Sequence, residues 1–567
     1  MRELGVSTEV FPSETNPEKL RSARGLIISG GPHSVYDDAS PHVDPLALQA
    51  GTPVLGICYG QQLLAQAMGG SVRKGDKGEF GLAILDLIEH DSRLFAGVRD
   101  HQQIWMSHRD VVEAPPAGFR LLASTSTCHT AAIEDPERRM YGVQFHPEVV
   151  HTAQGSRILE NFVLDICGCA KDWNPGQRVK LVEEQIQRTV GDRNVFFFVS
   201  GGVDSTVAFT LCLRALGADR VRGVYVDTGL MRYGETEFVE ITFANLGTGS
   251  VEIAHCEDQF LTALEHVREP ELKRHIIGEQ FVRVQERIIE DLGLLDDRWI
   301  LGQGTIYPDT IESGGTAKAA TIKTHHNRVP GIQKLIEAGR VVEPLADFYK
   351  DEVRAIGREL QLPRELLERH PFPGPGLAIR CLCAEADEPV TRVPEGWLMP
   401  VRSVGVQGDS RSYAPILAID AFPSADSRLQ DEATELVNRT ANVNRVVARV
   451  TSREPLEKQH VYASSVTRGR IALLRETDRI VRDLTASSGF DADVWQFPVI
   501  LIPVGAGESR DAVVLRPIQS VDGMTADSVS MPDELLSAMT ARLMAIEEIS
   551  GVYYDLTHKP PGTIEWE

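Results

Sequence analysis

Ser200-Gly201-Gly202-Val203-Asp204-Ser205-Thr206 is the stretch on which the reading of this chain turns. An apolar run, Val195-Phe196-Phe197-Phe198-Val199, precedes it, and a helix-like segment over 207–216, closed by Gly217, follows. Strand, glycine loop and helix together aim backbone N–H groups and a helix N-terminus at an anion. Gly201 and Gly202 allow close backbone approach, and Ser200, Ser205 and Thr206 add hydroxyl donors. No lysine stands in the stretch, and G-x-x-x-x-G-K-S/T occurs nowhere in the chain, so this is not the common phosphate loop. A loop without that lysine suits a pyrophosphate that leaves as one unit.

Length and composition limit what surrounds this loop. At 567 residues the chain exceeds a single core, and three domains are expected. With 58 Lys+Arg against 81 Asp+Glu the net charge is -23, which argues against a nucleic-acid or anionic-membrane partner. No targeting pattern and no membrane-spanning apolar run occurs in the sequence. The eight cysteines are scattered. Cys167/Cys169 and Cys381/Cys383 form C-x-C pairs without a second pair or a histidine at zinc spacing. A reduced, cytoplasmic setting is expected.

Residues 1–170 alternate short strands with helices. Gly25-Leu26-Ile27-Ile28, Pro53-Val54-Leu55-Gly56-Ile57 and Met140-Tyr141-Gly142-Val143-Gln144-Phe145 are the clearest strands, and a doubly wound parallel sheet is expected. Lys171-Asp172-Trp173-Asn174-Pro175-Gly176-Gln177 reads as a linker. A second doubly wound sheet is expected over 171–376. Its strand over 221–226 ends at Asp227, which brings Asp204 and Asp227 to one crevice at the carboxyl ends of the strands. Pro371-Phe372-Pro373-Gly374-Pro375-Gly376 marks the next boundary. The remainder, 377–567, is expected to be a smaller α+β domain with an internal repeat. Val401-Arg402-Ser403-Val404-Gly405, a helix and the strand over 444–450 form one unit; the strand over 515–521, a helix over 535–548 and the strand over 551–555 form the other.

Gly56-Ile57-Cys58-Tyr59-Gly60 has the form of a nucleophile elbow with cysteine in the place of serine. The helix that follows aims its N-terminus at Cys58, which favours the thiolate. Gly30-Gly31-Pro32 can offer a backbone N–H, and with the N–H of Tyr59 it makes an oxyanion hole. His146-Pro147-Glu148 supplies a base and a carboxylate to orient it. Elbow, glycine loop and H-P-E turn together resemble class I glutamine amidotransferases. That resemblance implies that Cys58 attacks a glutamine carboxamide and frees ammonia, with Gln62 helping to hold the glutamine. S-G-G-x-D-S in turn resembles the PP-loop of ATP pyrophosphatases, which adenylate their substrates.

The pairing of these two halves is similar to the glutamine-hydrolysing GMP synthetase family. Further motifs carry the resemblance: Gly302-Gln303-Gly304-Thr305-Ile306-Tyr307-Pro308-Asp309, Ile322-Lys323-Thr324-His325-His326-Asn327, His370-Pro371-Phe372-Pro373-Gly374-Pro375-Gly376 and Lys559-Pro560-Pro561-Gly562-Thr563-Ile564-Glu565-Trp566-Glu567. The resemblance implies that MgATP adenylates XMP and that ammonia then displaces AMP to give GMP. It assigns the pyrophosphate to Ser200, Gly201, Gly202, Val203, Ser205 and Thr206, Mg2+ to Asp204, and a lid charge to Lys323. It assigns XMP to Arg274, Asp409, Gln496, Lys559 and Glu565.

The same resemblance implies a strand and most of a helix ahead of the first residues, so this amidotransferase domain reads as N-terminally short. Arg109 in Met106-Ser107-His108-Arg109-Asp110 stands where the family has glycine. The long last domain resembles the eukaryotic-type form and leaves monomer and homodimer both open. An ammonia-dependent enzyme with an impaired glutaminase is the alternative reading. A PP-loop amidotransferase of the NAD synthetase kind, or a nucleotide-binding regulatory module, fits the motifs less well.

Overall fold

The computed structural model describes the chain except residues 14, 32, 37–39, 49–50, 150, 172, 174, 247–250, 307–329, 371, 408–409, 425–427, 441, 521–525 and 560. Two units are distinguished, Met1–Pro175 and Gly176–Glu567.

In the first unit, short apolar segments form β1 (Leu26–Ile28) and the wholly buried β2 (Val54–Ile57), which runs into α1 (Tyr59–Ala67). The long strands β3 (Ser71–Leu87) and β4 (Gln102–Ala114) come next, then β5 (Arg120–Ser124), β6 (Ala132–Asp135) and β7 (Met140–Val143). The sheet order is β1-β2-β7-β6-β5-β3-β4. Only β1, β2 and β7 pair in parallel; the other pairings are antiparallel. The doubly wound parallel sheet expected here is in fact mixed, its parallel part confined to β1, β2 and β7. β4 alternates buried with more exposed residues along most of its length, the pattern of a strand with one solvated face, and antiparallel pairs tolerate that face where parallel ones do not. β1 is an edge strand, and Ile27 on it is exposed.

Helix α2 (Pro175–Val190) begins inside the stretch read as a linker, with proline at the first helical position where its missing N–H costs nothing. The second unit then builds β8 (Asn194–Val199), α3 (Val203–Leu216), β9 (Val221–Asp227), β10 (Val251–His255), α4 (Pro270–Asp291), β11 (Trp299–Gly302), β12 (Val341–Val342) and α5 (Lys350–Glu359). All five strands are parallel, in the order β10-β9-β8-β11-β12. The order reverses between β8 and β11, the position where α/β sheets open a crevice at their carboxyl ends.

The rest of the unit adds β13 (Thr391–Val393), β14 (Gly396–Gln407), β15 (Ser410–Ile419), α6 (Leu429–Arg439), β16 (Arg445–Ser452) and α7 (Arg468–Ser488). It closes with β17 (Val499–Ile502), β18 (Asp511–Leu515), α8 (Asp533–Met544) and β19 (Ile549–Asp555). Their sheet runs β13-β14-β15-β16-β19-β18-β17. Val224 and Leu230 share one buried apolar cluster with Leu377, Leu417, Leu501, Leu515 and Tyr554, so packing is continuous across the Pro/Gly-rich stretch near 371–376.

Candidate active sites

The thiol site is built on an elbow that only glycine permits. A Cβ on Gly60 would stand 2.0 Å from the Ile28 carbonyl oxygen, and one on Gly56 2.5 Å from the Gly60 oxygen. Between them Cys58 holds φ 52° and ψ -108°, a strained backbone for an L-residue, and caps the N-terminus of α1. Its Sγ lies 3.6 Å from the Ser107 carbonyl and 3.7 Å from Gln144 Nε2. His146 Nδ1 pairs with Glu148 Oε1 at 2.7 Å, which leaves Nε2 for the sulfur. The hydrogen bond to Cys58, then the one to Glu148, hold the His146 imidazole up at about 10 against burial. An imidazolium beside the sulfur is the electrostatic partner a thiolate needs.

A Cβ at Gly30 would meet His146 Cε1 at 3.1 Å and Cys58 Cβ at 3.4 Å, and one at Gly31 would touch the Tyr59 ring at 3.9 Å. The glycine pair thus covers the thiol and borders Tyr59. Gln62 is buried instead of facing this opening. Its Nε2 donates to the Asp110 carbonyl at 2.8 Å and to Gln144 Oε1 at 3.3 Å, bracing the residues behind the sulfur.

In the second unit the loop after β8 is tied to itself. Gly202 is the N-cap of α3 and Val203 its first residue. The hydroxyls of Ser205 and Thr206 donate to the Gly202 carbonyl at 3.2 and 2.8 Å. Ser200 N donates to Ser205 Oγ at 3.3 Å, and Gly202 N to Ser200 Oγ at 3.3 Å. Gly201 has φ 72°, and a Cβ there would press to 2.6 Å on Val239. Gly304, just past β11, would place a Cβ 2.8 Å from Ser205 N, so the loops of the two diverging strands meet. Asp204 accepts from Lys350 Nζ with both oxygens, at 2.8 and 2.6 Å. Asp227, at the same end of the sheet, accepts from Gly229 N at 3.0 Å.

A third cluster gathers the last residues. Arg380 donates to both oxygens of Glu565, at 2.9 and 2.7 Å, and Gln496 Nε2 donates to Oε1 at 3.3 Å. Burial works to raise the Glu565 carboxyl, but the Arg380 guanidinium prevails and holds it below the usual range. Arg274 donates to the Glu567 backbone oxygen and keeps a buried, unpartnered Nε. Its neighbour Lys273 is buried against the Glu567 carboxylate, whose pKa burial pushes up to about 7. Lys559 exchanges backbone hydrogen bonds with Ala526 at 2.7 and 3.1 Å. Lys323 and Asp409 lie outside the described residues.

Two contributors were not singled out from the sequence. Lys350 and Arg380 come from segments far from the motifs they serve, and no spacing signal could have found Lys350, which opens an ordinary amphipathic helix.

Comparison with known proteins adds three family matches. The model described as glutamine amidotransferase class-I matches residues 1–166, NAD synthase matches 176–268, and the GMP synthase C terminal domain matches 483–566. A Leptospira interrogans protein named Probable GMP synthase (glutamine-hydrolyzing) is 40% identical, covering 100% of this chain and 96% of its own length. GMP synthase (glutamine-hydrolyzing) of Geobacillus kaustophilus is 36% identical over 100% and 96% of the two chains. Its namesake in Streptomyces coelicolor is 37% identical over 100% and 94%. No helix among the described residues is long and apolar enough to cross a membrane.

Proposed function

The chain belongs to the glutamine-hydrolysing GMP synthases, and from that premise we propose how its residues divide the work. The enzyme aminates XMP to GMP at the expense of ATP, with glutamine as the nitrogen donor. Cys58 Sγ adds to the glutamine carboxamide, and the backbone N–H groups of Gly31 and Tyr59 receive the oxyanion. His146, held by Glu148, gives its proton to the departing ammonia, leaving a thioester that water cleaves to glutamate. Gln62 acts indirectly, through Asp110 and Gln144.

In the second unit the XMP O2 attacks the ATP α-phosphorus, the α–β bridge breaks, and pyrophosphate leaves into the loop formed by Ser200, Gly201, Gly202, Val203, Ser205 and Thr206. Ammonia then adds to C2 of the adenylated base, and AMP departs. Asp204 fits a cation beside phosphates, because its carboxylate already holds the Lys350 ammonium with both oxygens. Mg2+ bound there supplies charge neutralisation on the polyphosphate. Arg274, Gln496, Lys559 and Glu565 are read as the XMP residues. The support is that Gln496 and Arg274 both reach the segment 565–567, which carries Glu565.

For the division into 1–170, 171–376 and 377–567, the family matches ending at 166 and starting at 176 support the first boundary, and the Pro/Gly-rich stretch marks the second, within the single unit Gly176–Glu567. The internal repeat has topological support, with one more strand in each unit than the strand–helix–strand pattern expected. β14-β15-α6-β16 and β17-β18-α8-β19 each make an antiparallel pair followed by a parallel crossover, and they join back to back through antiparallel β16 and β19. Two subunits would meet in the same way across a two-fold axis, so we read the chain as a monomer that carries its own partner domain. Eight free cysteines fit a cytoplasmic setting.

The strained Cys58 elbow beside the His146–Glu148 pair is the observation that carries the glutaminase reading, and it weighs against an ammonia-only enzyme. GMP formation from XMP and MgATP, with glutamine or ammonium as donor, tests it. Cys58→Ala is expected to lose the glutamine reaction and keep the ammonium one; a variant active with glutamine would refute the assignment.

A further inference from the structure

Behind the thiol site, three metal-ligating side chains from three segments converge. Glu79 comes from β3, His108 from β4, and Cys128 from the turn between β5 and β6. One donor atom from each lies within 4.8 Å of the other two. His108 is 6% exposed and Cys128 1%. His108 Nδ1 faces the Asp110 carbonyl at 3.1 Å, which turns Nε2 toward the cluster. That Nε2 is buried without a hydrogen-bond partner, and so is Glu79 Oε2, 3.4 Å from it. These two atoms pair with each other as an ion pair only when the ring is protonated; with a neutral ring the long contact satisfies neither, and a cation between them would satisfy both.

The surroundings would also suit a metal ion. A ligating histidine commonly donates its second ring N–H to a carbonyl, as His108 can to Asp110. Thr125 Oγ1 donates to the other Glu79 oxygen at 3.2 Å and accepts from Cys128 N at 2.9 Å, so one hydroxyl orients two of the donors. Thiolate, imidazole and carboxylate form a donor set that selects Zn2+ over hard cations. Metal–ligand distances of about 2.0–2.3 Å need donor pairs under about 4 Å apart, a small contraction of the present cluster.

We infer that Glu79, His108 and Cys128 bind one Zn2+, with water as the fourth ligand. Cys128 gives its thiol proton to solvent on binding, and His108 ligates as the neutral ring. None of the three is assigned a role in the amination chemistry above. The ion would still be felt there, because Ser107, the residue before His108, offers its carbonyl to the Cys58 sulfur. A metal at His108 would fix that carbonyl, and with it the position of the nucleophile.

Co2+ titration of the full chain is the test, with Cys58→Ala as background so that the nucleophile cannot contribute. A thiolate-to-cobalt charge-transfer band saturating at one equivalent, and bleached by Zn2+, is expected. The band should vanish in Cys128→Ser and His108→Gln and survive in the Cys167→Ser/Cys169→Ser double variant. Glu79→Gln, at the least buried ligand, guards against misfolding of the other two and should weaken Co2+ binding about tenfold or more. Absence of the band, its survival in Cys128→Ser, its loss with Cys167 and Cys169, or unchanged affinity in Glu79→Gln would each overturn the site.

Discussion

Lys350 Nζ lies 2.8 and 2.6 Å from the two carboxylate oxygens of Asp204, a residue 146 positions away in the chain. The phosphate loop contains no lysine of its own, yet an ammonium stands at its mouth, delivered by the first residue of α5. Both side chains are partly open to solvent, so the pair is a poor stabiliser and a suitable reserve of charge.

Lys350 is therefore expected to move from Asp204 to the polyphosphate when MgATP binds. Lys350→Met should lower GMP formation about 100-fold with either nitrogen donor, the scale of losing one charged donor at a developing anion. Glutaminase turnover should persist. Rates measured with glutamine and with ammonium check this, and an effect on the glutamine reaction alone would contradict it.

The His146 imidazole is raised from its ordinary 6.5 to about 10, first by Cys58 and then by Glu148. A raised folded-state pKa means the proton stabilises the folded site. That contribution is complete below pH 6.5 and is lost as pH climbs through about 10. NMR titration of labelled histidine should find His146 protonated at neutral pH. Cys58→Ala should bring its midpoint down further than Glu148→Gln does.

Gly60→Ala would drive a methyl group into the Ile28 carbonyl, and backbone cannot yield there cheaply. A loss of roughly 1–3 kcal/mol is expected, together with loss of glutaminase activity. Ammonium-dependent synthesis should survive, since the elbow lies in the first unit and the phosphate loop in the second. Thermal unfolding and the two-donor assay together decide it.

Arg380 is fully buried and holds Glu565 with two hydrogen bonds. Arg380→Met removes the cation that faces that buried carboxylate, which costs about 3–5 kcal/mol, and should loosen the terminal segment that carries Glu565. Glu565→Gln, which keeps the shape, should cost less stability and still weaken XMP binding. Denaturant unfolding and the KM for XMP separate the two effects.

A monomer is expected from the back-to-back pairing of β16 with β19. Sedimentation analysis across protein concentrations checks it; a concentration-independent dimer would contradict the reading of the repeat as an internal partner.

The sequence by itself determined the local chemistry. A nucleophile elbow, a glycine-serine phosphate loop and an H-P-E turn are each contiguous, because strand-to-helix turns impose their steric demands on neighbouring residues. Gly56, Cys58 and Gly60, or Ser200 through Thr206, could thus be read directly. Tertiary structure alone decided what reaches those turns from elsewhere. Lys350 meets Asp204, Arg380 meets Glu565, and Glu79, His108 and Cys128 face one another only because sheet order and helix packing bring distant segments together. The mixed first sheet escaped the motif reading for the same reason, since β6 lies beside β7 while β3 reaches the far side of β5. Strand partners are chosen by which faces can be buried together, and that choice is made over the whole unit, where no short stretch of sequence records it.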